Sequence, residues 1–321
     1  MITTPSSQPG QRAIVWFRKD LRLADHPALG AALQANKEII PVFIWDEEEG
    51  GNWSPGAASR WWLHHSLESL GSSIAKLGGT LVLAQGKAAQ VLPELAQAHQ
   101  TNQIYYGRTY DPAGIATQEA VEEACDLQGI NTESFNSSLL QEPWETKNGT
   151  GKPFQVFTPY WRKSRPIIYR EAANYSTRKL RFAQGLPTIS TLDGLSLLPE
   201  HPWHNKLSSH WEVSEEAAHR QIERTVEEVT HSYATRRNHP SVDGTSRLSP
   251  YLAWGRSAHA KFAKRYCKRR RRAAIVEKIN FWLRLDGGNF LIICFIIFPI
   301  FLTNPCAQSM QTFPGWMIRK T

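Results

Sequence analysis

The sequence predicts an α/β fold: a five-stranded parallel sheet with helices on both faces, followed by a long connector and a helical region. Three observations predict it. Strand-like and helix-like segments alternate regularly over residues 12–136, which argues a parallel sheet covered by helices. Seven prolines fall between residues 137 and 204, at 143, 153, 159, 166, 187, 199 and 202, and a stretch so punctuated reads as a connector with short ordered pieces. Helical spacing then returns near Ser214.

The elements follow in order. Residues 1–11 are polar, with two prolines, and read as a loose tail without a signal peptide's apolar core. Ala13-Ile14-Val15-Trp16-Phe17 is a short apolar run suited to a buried parallel strand. Asp25-His26-Pro27 opens a helix in which Ala28, Leu29, Ala32 and Leu33 share a face, and proline near the first turn costs no hydrogen bond. Ile39–Trp45 is the second strand. Leu63, Leu67, Leu70, Ile74 and Leu77 form one helical stripe, ended by Gly78-Gly79. Residues 80–84 read as a strand, 88–98 as a helix, 104–106 as a strand, 112–127 as a helix stopped by Gly129, and 132–135 as a fifth strand. Ligands of such sheets sit beyond the carboxyl ends of the strands. Those ends carry Arg18, Asp20, Asp46, Gln85, Arg108 and Asp111. No GxGxxG follows the first strand, so the usual dinucleotide fingerprint is absent. In the helical region Ile222, Val226, Val229 and Tyr233 lie on one stripe.

Composition bounds the function. The chain has 321 residues, enough for two domains, with 41% hydrophobic and 21% charged residues. A net charge of +8 favours anionic partners such as nucleic acid. The charge is uneven: Lys268 and Arg269 to Arg272 form one block, which by itself reads as a solvated or disordered face. Twelve tryptophans suit core packing, flavin packing, base stacking or electron transfer. The four cysteines, at 125, 267, 294 and 306, have neither metal nor disulfide spacing, and a reducing, cytoplasmic setting is expected. The apolar run Phe290–Leu302 is 13 residues long and contains Pro299. A spanning helix needs about 18–20 residues, so a buried helix and no membrane partner are expected.

Three motifs carry the chemistry. Trp16-Phe17-Arg18-Lys19-Asp20-Leu21-Arg22-Leu23-Ala24-Asp25 is a strand followed by a charged turn, which salt bridges alone would explain. Val156-Phe157-Thr158-Pro159-Tyr160-Trp161 reads as a loop packed on the core. Tyr233-Ala234-Thr235-Arg236-Arg237 precedes Gly244-Thr245-Ser246-Arg247-Leu248-Ser249-Pro250-Tyr251-Leu252. Asp243-Gly244 makes a turn, three hydroxyls follow within five residues, and Ser249 is placed to cap a helix with Pro250 at its first position. The hydroxyls and free N–H groups there suit a phosphate, although an ordinary capped helix has the same pattern.

Together these segments resemble the DNA photolyase/cryptochrome family, bacterial class I-like, over residues 12–255. The first is similar to the family's WFR-x-DLR-x-x-D opening, the second to its VFTP connector segment, the third to the first half of its FAD site. The resemblance implies an antenna-type domain over 12–136, an interdomain connector over 137–204 and a partial helical FAD-binding domain over 205–321. It implies that Tyr233 contacts FAD, that Thr245, Ser246, Arg247, Leu248 and Ser249 hold its phosphates and ribityl chain, and that Arg237 meets a DNA phosphate. The implied activity is that of a deoxyribodipyrimidine photo-lyase, a carbon–carbon lyase acting on pyrimidine dimers in DNA as a monomer, with FAD as its cofactor. No catalytic nucleophile and no metal site is expected.

Past Gly255 the resemblance weakens. Ile279-Asn280-Phe281-Trp282-Leu283-Arg284 returns to it, with Trp282 matching a flavin-pocket tryptophan. Where the family continues Glu-Leu-x-Trp-Arg-Glu-Phe, this chain has Leu285-Asp286-Gly287-Gly288-Asn289-Phe290, without the glutamate and tryptophan of the lesion pocket. The expectation is a truncated or degraded member with repair impaired or lost; a cryptochrome-like blue-light sensor and a non-enzymatic nucleic-acid-binding remnant are the alternatives. Tyr105–Pro112 resembles the family's antenna segment. Folate-binding members carry Asn-Glu where this chain has Ala113-Gly114, so neither a folate nor a deazaflavin antenna is assigned.

Overall fold

The computed structural model describes residues 11–139, 141–168 and 179–256. The tail up to residue 10, Trp282, the Lys268–Arg272 block, the Phe290–Leu302 run and Cys267, Cys294 and Cys306 lie outside the described residues. Five parallel strands, β1 (Arg12–Phe17), β2 (Glu38–Trp45), β3 (Val82–Gln85), β4 (Gln103–Gly107) and β5 (Asn131–Phe135), lie in the order β3-β2-β1-β4-β5. The helices between them are α1 (Pro27–Gln34), α2 (Ala57–Ala75), α3 (Ala88–Ala98) and α4 (Pro112–Asp126).

Alternation along β1 sorts the layers. Ala13, Val15 and Phe17 pack with Leu29 of α1 and with Leu63, Leu67 and Leu70 of α2. Ile14 and Trp16 face the other way, toward Leu92 of α3 and Val121 of α4. The expected sheet with helices on both faces is therefore present. The turn from β1 leads toward β2 and that from β4 toward β5, so the strand order reverses between β1 and β4.

The structure departs from the sequence expectations at three element boundaries. β3 begins at Val82 rather than residue 80, because residues 181–183 take that edge of β2. The Ile39 N–H donates to the Arg181 carbonyl at 2.8 Å, and the Ala183 N–H donates to the Ile39 carbonyl at 2.9 Å. Pro41, lacking an N–H, sits in the gap between that pairing and the first β3 pair at Val42. The α2 stripe stops at Ile74. Leu77 lies past the helix end and is exposed, because Gly78 turns the chain at φ +81°. The segment expected as a loop around Val156–Trp161 is instead the start of a helix, α5 (Phe157–Ile168). Its packing role holds: Tyr160 and Trp161 are buried. Pro159 does not break it, since it falls in the first turn, where no intrahelical N–H is needed.

Between residues 200 and 256 the elements are helical, among them α6 (Asn205–Ser208), α7 (Glu215–Arg224), a π turn over Thr225–Val229, α8 (Tyr233–Arg236) and α9 (Ser249–Ala253). Ser214 caps α7 by accepting from the Ala217 N–H at 2.9 Å, with Glu215 and Glu216 in the first turn. The expected stripe is real: Ile222, Val226, Val229 and Tyr233 are all buried. This region rests on α2, where Trp62 meets Tyr251 edge-on at 5.1 Å and Trp211 at 5.4 Å between ring centroids.

Candidate functional site

The charged turn after β1 is a junction. Asp20 is fully buried and accepts from the Arg18 N–H at 2.9 Å, with His26 Nε2 at 3.2 Å from its other oxygen. Burial alone would raise its pKa, but His26, the Arg22 guanidinium and the Arg18 N–H together hold it well below the carboxylate range. Arg22, also buried, donates to the carbonyls of Asp25 (2.8 Å), Ser137 (2.6 Å) and Gly255 (3.2 Å). It thus joins the sheet, the connector and the helical region through one side chain.

The helical region answers with its own contacts. The Glu215 carboxylate accepts from the N–H groups of Leu23 (2.8 Å) and Ala24 (3.0 Å). The Leu21 N–H donates to the Trp254 carbonyl at 3.0 Å. Buried Arg256 donates to the Leu21 carbonyl and, at 2.8 Å, to Ser69 Oγ. Burial pushes its pKa down to about 10, against the opposing pull of Glu215 and Glu216. Salt bridges explain only part of the first motif: Arg18 pairs with Glu49 and Lys19 with Asp111, whereas Arg22 donates to carbonyls, and Glu215, Trp254, Gly255 and Arg256 come from the helical region. Glu215, Ser137 and Arg256 carried no local signal, because their partners lie 115 to 235 residues away.

The predicted ligand positions at the strand ends are each engaged by other groups of the protein. Arg18 donates to Gln118 (2.9 Å) and Glu49 (3.0 Å) and lies over the Trp16 ring at 4.4 Å. Asp111 caps α4, accepting from the Gly114 N–H at 3.0 Å, and pairs with Lys19 at 2.9 Å. Arg108 pairs with Glu142 at 2.8 Å, and Tyr110 donates to the same carboxylate at 2.6 Å. Gln85 reaches the Gly194 carbonyl at 3.0 Å, while Asp46 accepts from the Glu48 N–H at 2.9 Å. Among the described residues no group of three histidine, cysteine or acidic side chains could hold a metal. No described helix is long and apolar enough to cross a membrane.

The third motif forms a turn pressed against α8. A side chain at Gly244 would place its Cβ 2.8 Å from the Arg236 carbonyl oxygen, so this position needs glycine. Tyr233 and Leu248 are buried; Ser246 is half-buried; Thr245, Arg247 and Ser249 are exposed. Arg237 is half-buried, with its guanidinium 5.7 Å from the centre of the Tyr233 ring. Arg247 takes the left-handed conformation, φ +48°, and its Nε lies 3.3 Å from Asp243. The expected capping role of Ser249 is overturned. Ser249 is already the first residue of α9, the cap position falls on Leu248 without a side-chain bond, and Pro250 sits in the first turn. Ser249, like Thr245, is left exposed. The structure thus lays the turn carrying residues 245–249 on the helix that begins with buried Tyr233, through Gly244 against Arg236. The hydroxyls and guanidinium of that turn suit a phosphorylated aromatic cofactor such as FAD. The opposing candidate, Trp282, lies outside the described residues.

A second feature gave no sequence motif. Between α2 and residues 208–220 lies an open cleft of about 640 Å³, with Trp61, His65, Ser69, Trp211 and Arg220 in its walls. Beside it, His64 is buried, and burial, followed by the His65 charge, pushes its pKa down. The two walls are distant in sequence, and only packing reveals them as one site.

The comparisons agree with this architecture. The family model described as DNA photolyase matches residues 13–176. A deoxyribodipyrimidine photo-lyase of Agrobacterium fabrum is 37% identical over 243 residues, covering 75% of this chain and 50% of that protein. Cryptochrome-2 of Arabidopsis thaliana is 32% identical over 251 residues, covering 76% of this chain and 41% of that protein. The chain therefore spans about half the length of these curated relatives or less. The crystal structure of a bacterial class III photolyase from Agrobacterium tumefaciens superposes with a TM-score of 0.83 at 32% identity, over 97% of this chain and 64% of that one. A Synechocystis cryptochrome structure shares the fold, with a TM-score of 0.78 at 20% identity. With its doubly covered sheet, its β1 junction and a family model matching more than half its length, this chain belongs to the DNA photolyase family.

Proposed function

We propose that this chain binds FAD and acts in the light-driven repair of cyclobutane pyrimidine dimers in DNA. The observation that carries the reading is the turn at Gly244–Ser249, which carries exposed Thr245 and Ser249 and a strained arginine and lies on the helix that begins with buried Tyr233. Bound and reduced, FAD would supply the light-excited electron that opens the dimer, as cofactors carry the chemistry in such proteins. The chain's own part is to hold and orient. Thr245, Ser246, Arg247, Leu248 and Ser249 would hold the diphosphate and ribityl chain, Tyr233 would pack beside them, and Trp282 would line the flavin pocket. Arg237 would position a DNA phosphate, a contact that fixes register without reading sequence. Extruding the dimer from the duplex costs a few kcal/mol, least for a damaged base.

The cleft between Trp61 and Trp211 falls within the volume range of small-molecule sites. It supports a place for a second chromophore, folate or deazaflavin in class. A monomer with no membrane partner completes the reading.

One observation favours a second reading, blue-light sensing without repair. Residues 285–290, Leu-Asp-Gly-Gly-Asn-Phe, stand where the lesion-pocket glutamate and tryptophan are expected, and both Arabidopsis cryptochromes are similar to the chain at 32% and 38% identity. The visible spectrum of the purified chain tests the first step: flavin absorbance in the blue is expected, and its absence after reconstitution with FAD removes both readings. Illumination with dimer-containing DNA then separates them. Loss of dimers supports repair, and a photoreducible flavin with no loss of dimers supports sensing.

A further inference from the structure

We propose that Gln221 is a positioning residue for the cofactor-binding turn, acting through the carbonyl of Ser246; the inference rests on the flavin reading of that turn. Gln221 Nε2 donates to the Ser246 carbonyl at 2.6 Å. The Thr225 hydroxyl, fully buried, reaches the same oxygen at 3.4 Å and the Gln221 carbonyl at 2.7 Å. A peptide unit is planar and trans, so its C=O and the following N–H point in opposite directions. Drawing the Ser246 carbonyl toward α7 therefore aims the Arg247 N–H away from α7. No bond from that N–H to another described residue is present. It stays available on the same turn as exposed Thr245 and Ser249, and a diphosphate is the ligand class that such a donor set would take.

Three irregularities meet at this corner. Arg247 holds a left-handed conformation that is unfavourable for a non-glycine residue. Such strain persists only where neighbours fix it. Here the corner is clamped at both ends, by Gln221 on Ser246 and by Arg224, which pairs with Asp243 while Asp243 also pairs with Arg247. The helix carrying both clamps switches immediately to the π turn Thr225–Val229, in which the Thr230 N–H donates to the Thr225 carbonyl at 3.0 Å. π turns concentrate at functional sites. Gly244, lastly, lets the turn lie directly on the backbone of α8. A plain surface loop would need none of these devices.

The test uses the full chain and two variants, Gln221→Leu and Gln221→Glu. Hydrogen exchange without flavin reads whether the turn is held, and FAD titration by flavin fluorescence reads whether the held turn serves the cofactor. In Gln221→Leu, exchange at the hydrogen-bonded amides that flank the turn, Gly244 and Leu252, is expected to rise about tenfold with α7 amides unchanged, and FAD affinity to fall about tenfold, the scale of one lost buried hydrogen bond. In Gln221→Glu, an ionised carboxylate faces the carbonyl and cannot donate, so the variant should match Gln221→Leu at neutral pH. It should recover as acidification protonates the carboxyl and restores a donor, a pH profile that lost packing would not produce. FAD affinity within twofold of the parent in Gln221→Leu overturns the inference, and so does a Gln221→Glu variant with no recovery at low pH. A parent chain that binds no FAD, while Gln221→Leu still loosens the turn, overturns the flavin reading instead.

Discussion

Replacing Gly255 with alanine tests whether the β1 junction depends on backbone contact. Gly255 has φ +62°, and a Cβ there would lie 2.2 Å from the Lys19 carbonyl oxygen and 2.4 Å from the Asp20 Cα. Both obstacles are backbone, so no side-chain rotation relieves them. The two segments must move apart, and three bonds cross between them: Leu21 N–H to the Trp254 carbonyl, Arg22 to the Gly255 carbonyl, and Arg256 to the Leu21 carbonyl. One neutral bond at about 1 kcal/mol and two charge-assisted bonds at about 1.5–3 kcal/mol each sum to about 4–7 kcal/mol if the contact opens. The left-handed backbone penalty for alanine, about 1–2 kcal/mol, is additional. Gly129 is the matched control: its φ is +69°, yet nothing lies within 4 Å of its virtual Cβ. Gly129→Ala should therefore cost the backbone penalty alone. In urea unfolding followed by tryptophan fluorescence, Gly255→Ala should lower stability by at least about 3 kcal/mol more than Gly129→Ala. Equal costs for the two variants would refute the reasoning, since they would show that the close approach carries no cohesion.

Three further outcomes follow from the same geometry. The Asp20 carboxyl titrates lower in the folded chain than its unfolded value of about 3.9; its contribution is therefore complete at neutral pH and is lost as pH falls below that value, so acid unfolding of Asp20→Asn measured between pH 6 and 2 should be shallower than that of the parent. Ser214→Ala removes the α7 cap and should cost about 1 kcal/mol in the same urea assay, with recovery in Ser214→Asp. The Cys125 thiol, buried and pushed by that burial to about 11, should resist iodoacetamide at pH 8 in the native chain and react once urea exposes it, as peptide mapping of the alkylated residue would show.

The sheet was legible because its signals are local. β1 reads as a strand from five consecutive apolar residues, and α2 reads as a helix from leucines at spacings of three and four. Where partners decide the outcome, local reading failed. β3 loses its first two expected residues to a segment a hundred positions away that pairs with Ile39 first. Phe157–Ile168 looked like a loop because two prolines punctuate it, yet a proline in the first turn is compatible with a helix, and buried Tyr160 and Trp161 make that helix worth forming.

The candidate site shows the same division more sharply. Its composition was readable: Thr245 to Ser249 share one turn, whose Gly244 lies on the helix that begins at Tyr233. The support was not. Ser249 resembled a cap because Ser-Pro is a common way to start a helix, but after the corner at Arg247 the cap position falls on Leu248 and Ser249 is left exposed. What holds that corner is Gln221 and Arg224, two polar residues on an ordinary amphipathic helix, indistinguishable in sequence from solvated ones. The β1 motif makes the complementary case. Its charges announced themselves, and salt bridges within the turn would have accounted for them. Yet Arg22 spends its guanidinium on three carbonyls from three parts of the chain, and Glu215 returns the contact to Leu23 and Ala24. Glu215 and Gln221 lie on the same helix, so the β1 junction and the Ser246 carbonyl are both fastened to α7. The chain segment that marks the family most clearly thus shares one supporting helix with the turn proposed to hold the cofactor.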